Sequence, residues 1–326
     1  MKPLSTLAQS VRASTTMAID TQFKKMRAEG IDVIGFSVGE PDFPTPERIK
    51  QAGIRAIEAD QTKYTPTPGT LAVRQAVCQR LAEDWGLHYT TDEVVVTGGG
   101  KPVLYTALKA LVNPGDEVIL PAPYWVSYYE LIQMVGGTPV VVETTEENGF
   151  NLTPQQLRQA ITPKTKALIL NSPSNPTGMI YSRQHLEDLA QVCLEADLYV
   201  IADEMYSKLI FDGKEFVSFP TLSEAVKAHT ILVNGASKTY AMTGWRIGFA
   251  AASREITQVM NNYLSHSLSG TCSIAQAAAA EAFGGPQEEI EAMRQAFETR
   301  RNYLYDRMSQ IPGVHPVRSE ATFYML

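Results

Sequence analysis

Short, nearly continuous runs of Val, Ile and Leu recur along the chain, each closed by Gly, Pro or a polar residue. They are "EVVVTGG" (93–99), "EVILPAP" (117–123), "TPVVVE" (138–143), "KALILNS" (166–172), "LYVIADE" (198–204), "TILVNGA" (230–236) and "RIGFAAA" (246–252). Apolar runs without polar alternation predict strands buried on both faces. Helical patterns separate most of them, as in "KPVLYTALKALV" (101–112) and "SRQHLEDLAQVCLEA" (182–196). This alternation predicts an α/β fold: a seven-stranded, mostly parallel sheet with helices on both faces. The last connection differs, because only nine residues, Ser237 to Trp245, separate "TILVNGA" from "RIGFAAA". A parallel crossover needs about a dozen residues or more, so this final pair is predicted to be antiparallel. Lys238 and Arg246 then lie beside one another at the carboxyl edge of the sheet, where α/β proteins bind ligands.

The two ends of the chain lack this strand pattern. "PQEEIEAMRQAFETRRNYLYDRMSQ" (286–310) predicts one long amphipathic helix, and "PVRSEATFYML" a turn entering a strand. Residues 1–45 are read as an N-terminal arm and part of a smaller domain, 46–284 as the large domain, and 285–326 as the start of the C-terminal small domain. An apolar run ending at Leu326 leaves a strand edge unpaired, so the chain is expected to continue beyond this residue.

Composition narrows the partners. The chain has 326 residues, enough for one large or two coupled domains, with 44% hydrophobic and 19% charged residues. Its net charge is −7, with basic residues scattered, which argues against nucleic acid or an anionic membrane surface as partner. Cys78, Cys193 and Cys272 are far apart and odd in number, without metal-ligand or disulfide-framework spacing, as expected for reduced thiols in a cytoplasmic protein. No signal-peptide pattern opens the chain, and no stretch approaches the roughly 18–20 apolar residues that span a bilayer.

Candidate chemistry collects at the strand ends. "GGGK" (98–101) opens a helix, and its backbone amides suit an anion, although a Gly-rich turn before a helix is often only a turn. "PAPYWVSYY" (121–129) is an aromatic cluster that serves either core packing or a flat ligand. "NSPSNPTG" (171–178) is a Pro-stiffened loop with two asparagines, and "ADEMY" (202–206) leaves Asp203 and Glu204 after an apolar run, solvated or buried beside a cation. Amides and an arginine suit a phosphate, an aspartate a protonated heterocyclic nitrogen, Asn and Tyr a phenolate oxygen, an aromatic a ring face and a lysine an aldehyde. Pyridoxal 5′-phosphate carries all of these groups.

"VGEPDFPTP", "TKYTPTPGT", "APYWVSY", "NSPSNPTG", "ADEMY" and "GASKTYAMTGWRIGF" occur in this order over essentially the whole chain. In them the sequence resembles the class I pyridoxal-phosphate-dependent aminotransferases of fold type I, in the bacterial-type aspartate aminotransferase subgroup. The resemblance implies a large cofactor-binding domain with a smaller α/β domain formed from both chain ends. It implies that Lys238 forms the Schiff base and shuttles the proton. Asp203 would pair with the ring nitrogen, Asn175 and Tyr206 with the ring oxygen, and Trp125 with the ring face. Arg246 would hold the phosphate with the amides of Gly100 and Lys101, and Tyr64 would reach the phosphate of the neighbouring subunit of a homodimer. Gly39 would help hold the substrate carboxylate together with Trp125 and Asn175. Thr16 and Lys101 would read a distal carboxylate.

Two departures from the family pattern stand out. Relatives often place a serine phosphate ligand three positions before the lysine; here that position is Gly235, and Ser237 is the alternative hydroxyl. The family's arginine for the substrate α-carboxylate lies in the segment expected beyond Leu326. The implied reaction is transamination between L-aspartate and 2-oxoglutarate, giving oxaloacetate and L-glutamate. Prephenate, aromatic amino acids or alanine are alternative substrates on the same motifs. A lyase on the same scaffold and a non-catalytic cofactor-binding regulator are the competing classes.

Overall fold

The computed structural model describes residues 2–36 and 39–326; Val38, which opens "VGEPDFPTP", lies outside them. Strands form where the apolar runs predict them: β1 (Val94–Thr97), β2 (Glu117–Ala122), β3 (Thr138–Glu143), β4 (Thr165–Asn171), β5 (Tyr199–Asp203), β6 (Thr230–Gly235) and β7 (Gly248–Ala251). They make one seven-stranded sheet in the order β1-β7-β6-β5-β4-β2-β3. β7 runs antiparallel to both β1 and β6, as the short connection requires, and the other pairs are parallel.

Every residue of β6 is buried, and only the first residue of β5 is not, because helices cover both faces. On one face Ile201 and Val233 pack with Val103, Leu104 and Leu108 of the helix Gly100–Leu111. On the other, Val200 and Ala202 pack with Leu186 and Leu189 of the helix Arg183–Glu195. A third cluster joins β1 and β7 to the helices Leu71–Trp85 and Ser273–Gly284, whose facing alanines let the helices approach closely. β3 is an exposed edge, blunted by Pro139 and the exposed Glu143. Register places Asn171, the last residue of β4, opposite Asp203, the last of β5. Two polar side chains thus leave the sheet side by side at its carboxyl edge.

The helix Glu288–Met308 forms as predicted and buries Ile290, Met293, Phe297 and Arg301, at intervals of three and four residues. Arg301 is a charged member of this inner stripe; its guanidinium bonds the Ser319 carbonyl and, at 2.7 Å, Asp212. Downstream the prediction differs from the structure. "PVRSEATFYML" makes no strand, only an antiparallel bridge between Ile210 and Ala321. Thr322 has φ 65°, a left-handed backbone that interrupts extension. It is held there by tertiary bonds: Phe211 N–H donates to Glu320 O at 2.9 Å, and Thr322 N–H to Leu209 O at 2.8 Å.

Gly178 ties this segment to the "NSPSNPTG" loop. Its carbonyl accepts from both Glu320 N–H and Ala321 N–H at 2.9 Å. Its φ of +69° suits glycine, and a Cβ would meet the Ser319 Cβ and lie 2.7 Å from Ala321 O. Gly213 has nearly the same φ, +63°, but open space around it. Gly213→Ala is therefore expected to lose about 1 kcal/mol, the left-handed backbone cost alone. Gly178→Ala should lose about 2–4 kcal/mol, since overpacking adds to that cost. Urea unfolding of both variants checks this, and equal losses would show that the contact with residues 319–321 carries nothing.

Candidate functional site

The carboxyl edge of the sheet, between β4, β5, β6 and the turn into β7, gathers most of the residues singled out from the sequence. Asp203 closes β5 with a buried side chain. Its carboxylate accepts from the Tyr128 hydroxyl at 2.7 Å and from Met205 N–H at 3.2 Å. Burial pushes its pKa up to about 6, against the opposing pull of these two donors. Asn171 donates through its amide to Asp203 O at 2.9 Å and accepts from Asn175 N–H at 2.8 Å, so the strand ends set the Asn175 loop. Trp125 packs edge-on against Tyr128, ring centroids 5.3 Å apart, and Lys101 Nζ lies 5.0 Å from the Trp125 ring.

Lys238 stands on the one-turn helix Ala236–Thr239 that follows β6, partly buried. Its Nζ donates to Gly39 O. Burial lowers its pKa to about 8; Glu40 opposes the shift and Arg246 adds to it. A lysine in this state yields a free amine far more readily than one in water. Ser237 beside it is buried. Gly235, where the family pattern leads one to expect serine, has no room for a side chain, since a Cβ would lie 2.7 Å from Ile247 O and 3.0 Å from Gly248 Cα.

Arg246 is exposed and has φ 59°, a left-handed conformation uncommon outside glycine. Its guanidinium occupies the space beside Gly99, whose Cβ would come within 2.9 Å of Arg246 Cζ. Gly99 has φ +108° and precedes the helix Gly100–Leu111, whose first amides face outward. Desolvation first, then the Arg246 charge, hold Lys101 below the usual lysine pKa. A guanidinium, a helix N-terminus and a lysine gathered together form an anion cradle.

Tyr206 is buried, and its hydroxyl lies 2.8 Å from that of Tyr324. Burial raises its pKa well above the ordinary phenol value, then Tyr324 and Asp203 add to the rise, while the Asn175 amide opposes it. Two sequence-predicted residues sit apart. Tyr64 is fully exposed on its own chain, 103% accessible, and touches none of this constellation. Thr16 is half-buried one residue from a groove of about 380 Å³ lined by Arg12, Ser14, Thr15, Lys101, Tyr124 and Glu130, among others. Tyr128, Asn171 and Tyr324 are site residues that sequence reading did not assign. The first two lie inside quoted motifs, but only the fold reveals their bonds.

The donor set fits pyridoxal 5′-phosphate on the structure's own terms. Asp203 has a buried carboxyl whose ionisation a protonated ring nitrogen would restore, and the cation cradle suits a phosphate. Among the described residues there is no group of His, Cys, Asp and Glu side chains that could hold a metal, and no helix is long and apolar enough to cross a membrane.

The family model for aminotransferases of class I and II matches residues 31–326. The aspartate aminotransferase of Bacillus sp. (strain YM-2) is 47% identical over 323 residues, 99% of this chain and 82% of that protein. The aspartate/prephenate aminotransferase of Cereibacter sphaeroides (strain ATCC 17029 / ATH 2.4.9) is 45% identical, covering 99% of this chain and 81% of that protein. The structure of the Thermus thermophilus aspartate aminotransferase with maleate superposes with a TM-score of 0.95 at 40% identity, covering 100% of this chain and 85% of that one.

Glu204, next to Asp203, is also buried; it accepts from Phe219 N–H at 2.8 Å through one oxygen, while the other has no hydrogen-bond partner among the described residues. Burial raises its pKa from 4.5 to about 8, so the folded protein keeps it neutral where the unfolded chain ionises it. The stability it contributes is fully present below pH 4.5 and is lost as pH rises through about 8. Glu204→Gln should flatten the fall of the urea midpoint across that window. An unchanged pH slope would show that Glu204 is ionised in the fold.

Proposed function

The chain belongs to the class I and II aminotransferase family, and from that premise we propose that it is a pyridoxal 5′-phosphate-dependent aspartate aminotransferase, exchanging amino groups between L-aspartate and 2-oxoglutarate. The observation that carries this reading is the pairing of two perturbed groups at one sheet edge: Lys238, brought down to about 8, and Asp203, brought up to about 6. The names of the relatives support aspartate, and prephenate is a second acceptor because several relatives are named aspartate/prephenate aminotransferase.

When bound, pyridoxal phosphate supplies an aldehyde for an amine and a cationic ring that spreads the charge left when an α-proton departs. The chain's own residues do the rest. Lys238 Nζ, partly neutral near pH 8, would take the proton from the substrate Cα and serve as the site's shared base and acid. Asp203, oriented by Tyr128 and the Met205 amide, would hold the proton on the ring nitrogen. Arg246 and the amides of Gly100 and Lys101 would hold the phosphate, with Ser237 as a further hydroxyl. Trp125 would cover a ring face, and Asn175 and Tyr206 would hold the ring oxygen. Gly39, Trp125 and Asn175 orient the substrate, while Lys101 and Thr16 read its distal carboxylate. These assignments place the substrate between elements that are already rigid, which favours proton transfer at a set geometry.

The same reading divides the chain into an arm (1–45), a large cofactor-binding domain (46–284) and a smaller domain beginning at 285. It is supported by the packing of Phe43 on Phe297, ring centroids 5.3 Å apart, and by the 2.7 Å ion pair between Asp42 and Arg300, which join the two ends of the chain. A homodimer is supported by the exposure of Tyr64, which serves its own chain poorly and a second copy's phosphate well. Three free cysteines support a cytoplasmic setting.

Borohydride reduction of the pyridoxal-phosphate-loaded protein followed by peptide mapping should tag Lys238. Lys208 is held in a 2.6 Å ion pair with Asp84, so a tag there, or on Lys101, would overturn the assignment. Lys238→Ala should lower turnover by about 10² to 10⁴-fold, the usual contribution of general acid–base catalysis.

Lys101→Ala should slow the half-reaction with aspartate and glutamate while sparing alanine and phenylalanine. Single-turnover rates across that panel, with prephenate as an alternative acceptor, decide the substrate class. Equal losses for every amino acid would count against Lys101 as the reader of the distal carboxylate.

A further inference from the structure

Tyr324 reaches the site from the far end of the chain, and none of the roles above uses it. Its position is tightly held. Gly178 O accepts from Glu320 and Ala321 N–H, Leu209 O accepts from Thr322 N–H, and Thr322 Oγ1 accepts from Tyr324 N–H at 3.1 Å. The Tyr324 hydroxyl lies 2.8 Å from the Tyr206 hydroxyl, with the two rings at 77°. The same hydroxyl and ring edge fill the place that a Cβ on Gly39 would take, and Gly39 O receives the Lys238 ammonium. Tyr324 thus stands between the carbonyl that holds the lysine and the phenol that faces the cofactor site.

A phenol has one proton and two lone pairs. If Tyr206 gives its proton to Tyr324, it has none for the cofactor's ring oxygen; if Tyr324 gives its own, the Tyr206 proton is free for that oxygen. Hydrogen bonds in such a chain polarise and strengthen one another. We propose that Tyr324 is a positioning residue that acts through Tyr206, donating to its oxygen so that the single Tyr206 proton is directed at the cofactor's ring oxygen. This rests on the pyridoxal-phosphate reading and extends it to a residue outside the large domain.

The titratable and charged groups facing the pair are Asp203 on β5, Tyr128 bonded to it and, across Gly39, Lys238 with Glu40 and Arg246 acting on it; Asn175 adds a neutral amide. Without the Tyr324 hydroxyl, Tyr206 donates less strongly and the ring oxygen keeps more negative charge. The Lys238 nitrogen bonded to the cofactor beside it then keeps its proton to higher pH.

The test uses the holoenzyme and follows the visible absorbance of bound pyridoxal phosphate against pH. Tyr324→Phe, which preserves the ring against Gly39, should move the absorbance midpoint upward by about half a unit to one unit. It should also weaken cofactor binding about 3- to 10-fold, the range of one neutral hydrogen bond. Tyr206→Phe should shift the midpoint further in the same direction, and the double variant should match Tyr206→Phe alone, because Tyr324 acts only through Tyr206. Tyr324→Leu, which also removes the hydroxyl, should give the same midpoint as Tyr324→Phe and covers a Phe variant that folds poorly. An unmoved midpoint in both Tyr324 variants, or additive shifts in the double variant, would overturn the proposal. Failure of the parent protein to take up pyridoxal phosphate on Lys238 would instead overturn the functional reading on which it rests.

Discussion

Burial of ionisable groups at the carboxyl edge of a sheet covered on both faces is the constraint around which the site is built. Removing charge from water disfavours the ionised form of acids and bases alike, so Asp203 is pushed up and Lys238 down. Opposite charges in such a place would ordinarily neutralise one another. Here no ion pair among the described residues joins them. Asp203 spends its lone pairs on Tyr128 and the Met205 amide, and Lys238 bonds the Gly39 carbonyl. Each is shifted toward its neutral form and held apart from the other, a condition that a ligand carrying a cationic nitrogen at one end and an aldehyde at the other would satisfy at both.

The phosphate end follows the same logic with the sign reversed. Arg246, Lys101 and the start of the helix Gly100–Leu111 concentrate positive potential where, among the described residues, no carboxylate is bonded to Arg246; its guanidinium donates to the Thr243 carbonyl at 2.9 Å. Arg246 also keeps a left-handed backbone that costs about 1–2 kcal/mol per residue without glycine. Like charges and backbone strain are tolerated only where a bound group repays them in the functional state. A dianion in the cradle would relieve the repulsion, so the folded protein should gain stability with ligand concentration as any native-state binder does.

The parts legible in the sequence are those where local pattern and tertiary environment agree. Double-sided burial writes itself as unbroken Val/Ile/Leu runs, and every such run is a strand; a nine-residue link told the direction of β7. The runs overshoot the strands at their ends, because Gly98 and Gly99 after β1 and Pro123 after β2 are small or apolar yet already lie outside the strands. Residues 316–326 were not legible. Thr322 is β-branched and locally favours extension, and only contacts with Leu209 and Gly178, far off in sequence, hold the segment in its turned path. Tyr128 and Asp203 are 75 residues apart, so nothing short-range marks that bond. Gly235 was visible as a departure from relatives, but its cause, the closeness of Ile247 O, is purely tertiary.

The side chains we assign to the cofactor lie mostly between β2 and β7, yet their orientation depends on the ends of the chain. Gly39 from the N-terminal side receives Lys238, and the 319–324 segment leans on Gly178, four residues before which lies Ser174 and three before which lies Asn175. A movement of that segment cannot leave the Asn175 loop untouched, since Gly178 O holds two of its amides. It also cannot leave Tyr206 untouched, since Tyr324 bonds it directly. Small displacements in packed, hydrogen-bonded contacts resolve into discrete arrangements rather than continuous drift. The Tyr206 side of the site is therefore the side most exposed to changes at the chain ends, whereas the Asp203 side, anchored by β4, β5 and Tyr128, is insulated from them.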